Sequence, residues 1–469
     1  MQKYNKLLFF ILVALSLPIV FVNQASAIPA FSYEHNTECT ACHTIYPELN
    51  EYGEAFLKNG YVWTKNIRAP KGTAPVKPAV QTPEVKDEVD LPEHLNTDTL
   101  SEEADDDDMV YAPKQKKNEP LWISGLPEKL PLSLSATLNM AYNKDAADKD
   151  KLDFSTRALS LLSGGVFRDK VSFWIKYNLY TQGAFDPAVS NTPLNTTAGS
   201  GPNAAPDIEE VAFMYRKAFD TPVNIKVGRF RPKLSLWKKS NKTSVSDFAT
   251  NTFQVGNSKF TLDAPEDAIE VNAVIGNRLF VAAGIVDRNG QEQKEGYGHI
   301  SYKVGGTDML GKEPDVDLDS EHFTDYLAIT LAAYGYFGKN SGDSSVERNK
   351  FYRLGGDLDV LYKSFRFRLN GVIGKDDNPD FGSKLKTDSY VIAAQAEYLL
   401  ALNLIGLVRY EYQDIGHTGV VVHRIIPVVT YAPIENTKIT MEYQYQRSDN
   451  EIATVATDQK LLLGLRFSF

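Results

Sequence analysis

The chain has 469 residues, 50 basic against 60 acidic, a formal charge of −10, and 43 % hydrophobic residues. That acidic balance excludes the basic patch a nucleic-acid binder needs. No P-loop, G-x-G-x-x-G fingerprint or nucleophile elbow occurs either, so the common nucleotide-dependent and serine-hydrolase chemistries have no anchor here.

In chain order, Lys3 and Lys6 precede an apolar run over 7–22, and Ala25-Ser26-Ala27 supplies a small-x-small cleavage pattern. Residues 1–27 therefore read as a secretory signal peptide, with the mature chain beginning at Ile28 outside the cytoplasm. Losing Lys3 and Lys6 leaves 48 basic residues against 60 acidic, a charge of −12.

Both cysteines of the chain fall in Cys39-Thr40-Ala41-Cys42-His43. A Cys-x-x-Cys can be a redox dithiol, half a zinc site or a haem attachment. Zinc needs four ligands, and no second Cys/His pair stands at ligand spacing. A thioredoxin-like dithiol needs a βαβ setting that the flanks do not offer. His43 selects the third option: the two thiols add to the vinyl groups of one porphyrin and the adjacent imidazole becomes an axial ligand of the iron. One covalent haem c is thus expected on Cys39 and Cys42, with His43 on the iron. Tyr46-Pro47-Glu48 reads as the opening of a helix, with Leu49, Tyr52, Phe56 and Leu57 at helical spacing, Lys58 late and Gly60 as the stop. No methionine lies between Met1 and Met109, so His35 is the candidate second axial ligand within the unit. Lys58, a barrel side chain or an open position are the other options. The unit, 28–64, is under about 40 residues and needs its haem and a neighbour to stay folded.

Residues 65–127 are Pro-containing and poor in hydrophobics, and 101–108 hold six acids. They read as a solvated linker. From 128 to 469 the period changes to two. Ile439-Thr440-Met441-Glu442-Tyr443-Gln444-Tyr445-Gln446 alternates apolar and polar without exception, and Phe365-Arg366-Phe367-Arg368 does the same. Sixteen such segments appear, near 132–142, 154–167, 170–181, 207–217, 222–230, 267–276, 279–288, 296–304, 324–338, 349–363, 365–375, 387–399, 401–413, 418–431, 437–447 and 458–469. Their length, even number and alternation of tight with long links predict an all-β transmembrane barrel of 16 antiparallel strands, short turns in the periplasm and long loops outside. One link, 305–323, is long where a short turn is expected, so either the count slips there or that turn carries an insertion.

The chain closes on Phe469 with Leu463, Leu465 and Phe467 on the same face, which resembles the sorting signal of outer-membrane barrels. Val227-Gly228-Arg229-Phe230-Arg231-Pro232, followed by a very long loop, resembles the phosphate-selective porin group, in which that loop folds into the pore. Phe31, Cys39, Cys42, His43, Pro47-Glu48-Leu49-Asn50, Gly53, Phe56 and Gly60-Tyr61, together with the barrel, resemble the fused cytochrome–porins of the bacterial outer membrane that act as iron(II) oxidases. The resemblance implies oxidation of extracellular Fe(II), or another outside donor, and transfer of electrons to a periplasmic c-type cytochrome across outer-membrane lipid. A barrel's apolar band is about 25 Å tall, so a haem resting at the periplasmic mouth would be too far from an outside donor for efficient transfer. The haem unit is therefore expected inside the lumen, with the periplasmic mouth as the other placement. The alternative is a diffusion porin for anions or small solutes whose haem unit is a plug or redox sensor. His94, His299, His322, His417 and His423 read as linker, loop or lumen residues, any inner-wall one being a possible haem partner.

Overall fold

The computed structural model describes Phe31, His35 and residues 37–64, 132–146, 151–181, 207–238, 241–288, 294–314, 316, 320–341, 347–382, 385–416, 419–450 and 455–468. The signal segment 1–27, the linker 65–127, His94 and His417 lie outside these residues.

Sixteen strands form one closed antiparallel barrel in sequence order, β16 returning to pair with β1. They are β1 (Leu132–Asn143), β2 (Leu152–Phe167), β3 (Val171–Thr181), β4 (Asp207–Tyr215), β5 (Val223–Phe230), β6 (Glu266–Ile275), β7 (Leu279–Asp287), β8 (Glu295–Gly305), β9 (Leu327–Ser341), β10 (Arg348–Tyr362), β11 (Phe365–Asp376), β12 (Thr387–Ala401), β13 (Leu404–Ile415), β14 (Val420–Ile434), β15 (Thr437–Asn450) and β16 (Ala456–Ser468). Every segment expected from the alternation is present, with ends shifted by a few residues. Two helices sit inside the ring, α1 (Glu51–Lys58) and the single turn α2 (Ala249–Thr252).

The barrel is inside-out relative to a soluble one. On β6 the outward Ile269 is 57 % exposed while the inward Glu270 is 3 % exposed. On β13 and β15 Arg409, Glu411, Glu442 and Gln444 are buried inward, while Val408, Tyr410, Met441 and Tyr443 face out. An apolar outer band around a polar lumen is the pattern a bilayer imposes, because outside the barrel the solvent is hydrocarbon.

The lumen is not open. The link from β5 to β6 folds into it and burrows against the wall. Leu236 N donates to Asp357 at 2.6 Å, Ala249 N to Glu411 at 3.0 Å and Val245 N to Glu442 at 2.8 Å. Phe253, Val255, Phe260 and Leu262 form an apolar core with Tyr334, Tyr336 and Phe351 of the wall. The long 305–323 link is an insertion, since the strand count holds on both sides of it. Met309 N of this link donates to Asn277 O of the neighbouring turn at 2.8 Å, and Met309 is buried against Phe280 and Ala282.

The parity gives a topological prediction. Epitope tags placed within 183–205 or 340–348 should bind antibody on intact cells, and a tag at 218–221 should not. Surface labelling of the 218–221 tag alone would invert the orientation.

Candidate functional site

The Cys-x-x-Cys-His segment is shaped by its own backbone. Residues Cys39–Ala41 make one 3-10 turn, and the amides of Cys42 and His43 both donate to Cys39 O, at 3.1 and 3.0 Å. The chain then doubles back. Thr44 N donates to Glu48 O at 3.1 Å, and Asn50 N returns to Cys42 O at 3.0 Å. This fold brings His43 Nδ1 to 3.2 Å from the Glu48 carbonyl. A carbonyl only accepts, so Nδ1 carries the proton and Nε2 keeps its lone pair, the arrangement usual for a metal-bound histidine. Burial lowers the His43 pKa to about 4, which keeps the ring neutral and ligand-competent at neutral pH. Burial also pushes the Cys42 thiol up to about 12, with Cys39 adding to it.

The helix starts later than its proline suggests. Residues 46–48 belong to the turn before it, and α1 begins at Glu51 because the Asn50 side chain accepts from Gly53 N at 2.9 Å. Asparagine is among the best residues for that capping role, and it outranks proline as the start signal here. Gly60 does stop the helix. It sits at φ 66°, with Tyr61 N donating to Phe56 O at 2.9 Å and Gly60 N to Leu57 O at 3.2 Å, the double bond of a Schellman end. Gly53 is needed for a different reason. A Cβ there would stand 2.1 Å from Cys42 O, so only glycine lets α1 lie directly on the thiol-bearing loop.

Packing is aromatic. Phe31 meets Phe56 edge-on at 5.2 Å and stacks on Tyr61 at 5.3 Å, while Trp63 meets Tyr52 at 5.1 Å. His35 stacks on Trp63 at 4.9 Å and touches Phe56 edge-on at 5.8 Å. Its Nε2 is buried and has no hydrogen-bond partner among the described residues.

The unit lies inside the barrel, at the short-turn end. Glu48, 0 % exposed, is ion-paired to Arg368 and lies 3.4 Å from Arg366, both inward on β11. Arg366 also reaches Glu54 at 3.4 Å, and Lys303 on β8 reaches Glu51 at 2.7 Å. Leu49 N donates to Asn241 of the lumen loop at 2.7 Å. The Cys39 thiol lies 3.0 Å from Asn436 Oδ1 in the β14–β15 turn, and Arg466 of β16 stands 5.2 Å over the Tyr46 ring. The 305–323 insertion closes over the other side: Asn59 donates to Met309 O at 3.3 Å, and Gly311 backs onto Tyr52 and Thr64.

Between unit and wall runs a cavity of about 290 Å³, close to the lower end of small-molecule sites at roughly 300–1,000 Å³. Cys39, Cys42 and His43 all face it, with Phe56, Trp63 and Trp174 as aromatic walls. The three residues of the pentapeptide are therefore brought to one surface, thiols and imidazole together, as a covalently held porphyrin requires. His35 packs on Trp63 and Phe56 and is not among the residues that line this cavity. His299 faces the lumen on β8, its Nδ1 2.5 Å from Leu234 O, and does not line this cavity. His423 bonds Tyr410 OH at 2.9 Å, and His322 sits in the insertion.

Sequence reading places Arg368 on the lumen face beside the unit, but it missed the wall partners Arg366, Lys303, Asn241 and Asn436. The one signal present was two arginines on the polar face of β11, close to a tight turn.

Acid should loosen the docked unit in two steps. Burial holds His35 at about 4 against an ordinary 6.5. The unfolded segment then takes up a proton that the folded one refuses, and stability is lost as pH falls from 6.5 to 4. For Glu54 burial would raise the carboxyl, but Lys58 and Arg366 outweigh it and hold it at about 2 against 4.5. Its contribution is full above 4.5 and lost toward 2. Trp63 fluorescence against pH reads both steps, and His35→Ala should shrink the first. A flat profile down to pH 4 would refute the buried neutral imidazole.

Neither a protein-family model nor a curated protein matches the sequence. Solved structures do. An anion-selective porin from Comamonas acidovorans is 12 % identical over 72 % of this chain and 98 % of that one, with a TM-score of 0.50. The outer membrane channel DcaP of Acinetobacter baumannii is 12 % identical over 72 % and 96 %, with a TM-score of 0.48. At such identities the likeness is one of fold: this chain has the closed 16-strand barrel of outer-membrane porins.

Proposed function

We propose that this chain is a bacterial outer-membrane electron-transfer protein, with one haem c attached through Cys39 and Cys42, ligated by His43, and held in the barrel lumen at its periplasmic end. Extracellular Fe(II) is the donor implied by the resemblance of the N-terminal unit to iron(II) oxidases, and a periplasmic c-type cytochrome is the acceptor. The observation that carries this reading is the convergence of both thiols and a buried, neutral imidazole, its Nδ1 held by Glu48 O, on one largely apolar cavity. A haem there supplies a one-electron couple between the two sides.

The chain's own residues supply the setting. Glu48 O fixes the His43 tautomer and aims the ring. Trp174, Phe56 and Leu57 exclude water from the cavity, and Arg366 and Arg368 fasten the unit to β11. His35 remains the second-ligand candidate through its unpartnered Nε2; a low-spin spectrum unchanged in His35→Ala would remove it.

The second reading is a diffusion porin whose haem unit is a plug or sensor. It is favoured by the fold likeness to an anion-selective porin and by the polar inner wall. One preparation separates the two. Anaerobic Fe(II) added to the oxidised protein should develop a reduced c-type spectrum within seconds, while liposomes containing it stay tight to chloride and small sugars. A spectrum that stays oxidised, with fast solute flux, would replace the conduit by the porin.

A further inference from the structure

Away from the cysteines, the cavity wall turns basic. Lys58 of α1, Lys226 of β5, and Arg231, Lys233 and Lys238 of the lumen loop line it and also line a smaller adjoining pocket. Two of these five cations are answered locally. Arg231 is ion-paired with Glu209, Glu210 and Asp263, and Lys58 lies 3.4 Å from Glu54. The remaining three are not. Among the described residues no carboxylate stands within ion-pair distance of Lys226, Lys233 or Lys238. Glu270, on the same wall, accepts from Tyr297 OH at 2.6 Å and Asn272 Nδ2 at 2.8 Å, neutral donors that leave its charge in place but outside ion-pair distance of the three lysines. The Lys226 ammonium rests over the Phe230 ring at 4.0 Å instead. Burial holds Lys233 and Lys238 below the ordinary lysine range, and for Lys233 the charges of Lys238 and Lys58 add to it. Glu54, Asp263, Glu270 and Asp357 act on these lysines only from beyond ion-pair distance, and cations crowded into a largely enclosed space are costly unless an anion completes them.

The lysines line the same cavity as Cys39, Cys42 and His43, and Phe56, Leu57, Leu162, Trp174 and Leu236 give it apolar surface. A ligand that fills it must offer apolar surface to these side chains and anionic groups to the lysines. A porphyrin bonded to cysteines at its vinyl edge carries its two carboxylates on the opposite edge. We propose that Lys226, Lys233 and Lys238 are the receptor for the two propionates of the haem held by Cys39 and Cys42. The inference rests on the haem reading above and adds the orientation of the ring: propionates toward β5 and the lumen loop, thioethers toward the β14–β15 turn.

The test uses the full chain, purified from cells that mature c-type cytochromes. Haem content of the wild type is measured first; protein without covalent haem would end both the haem reading and this one. Given haem, Lys233→Gln/Lys238→Gln should keep its stoichiometry, because the thiols are untouched, yet lower the midpoint potential. Each lost cation should cost about tenfold in the reduction equilibrium, ~59 mV for one electron. Lys233→Arg/Lys238→Arg should restore the wild-type value. If the glutamine pair fails to form a heat-modifiable barrel, Lys226→Gln, on a strand, is read in its place. An unchanged potential with haem attached would overturn the assignment alone. So would a potential that moves on adding inorganic phosphate to the wild type, which would mean that a free oxyanion occupies the lysines.

Discussion

Cys42→Ala and His43→Ala are expected to abolish Fe(II)-dependent haem reduction while the barrel assembles normally. Neither residue belongs to a strand, so neither takes part in the β1–β16 pairing that closes the ring. Cys42→Ala leaves at most one thioether. His43→Ala leaves the thioethers but removes the imidazole that Glu48 O aims, so the low-spin spectrum should disappear even where the macrocycle stays bonded. Peroxidase staining, absorption and heat-modifiable migration on one preparation separate the three consequences. Full Fe(II) reduction by His43→Ala would show that the electrons do not pass through this site.

Glu48→Gln is expected to be the most damaging substitution outside the pentapeptide. Its carboxylate is fully buried beside Arg366 and Arg368, and neutralising it leaves two inward guanidiniums with Glu54, Asp359 and Glu397 as their remaining partners. Removing one partner of a buried pair typically costs about 3–5 kcal/mol, enough to free a unit of this size from the wall. The readout is proteolysis within 51–64, slow in the wild type and fast in the variant. Glu48→Leu combined with Arg368→Leu should recover much of the protection, since apolar replacement of both partners is often near neutral. Equal protection of Glu48→Gln and wild type would mean that the ion pair is not what holds the unit.

The barrel was legible because a membrane strand states its two faces in consecutive letters: Ile439, Met441, Tyr443 and Tyr445 outward, Glu442 and Gln444 inward. The pentapeptide was equally legible, being a local device whose chemistry needs no distant residue. What joins them was not. Glu48 and Arg368 are 320 positions apart, and nothing in a period-two pattern says which inward arginine meets which acid. The start of α1 was misplaced because proline at 47 outweighed the capping side chain of Asn50. The link 305–323 announced itself only as a break in the parity of turns. Its reason lies in three dimensions, where it packs beside α1 and the residues that follow it.

The position of the cysteines sets an order of manufacture. The unit touches Asn436 and Glu435 between the last hairpins, and Arg466 and Ser468 of the final strand flank its cavity. From Cys39 these turn partners stand 396 and 397 positions further along the chain, so the N-terminal segment has nothing to dock on until the β14–β15 hairpin is folded. Once docked, both thiols face the space between unit and wall. On the proposed reading, tetrapyrrole attachment is easiest before docking, and a strain unable to mature c-type cytochromes should yield a barrel whose unit docks without its haem.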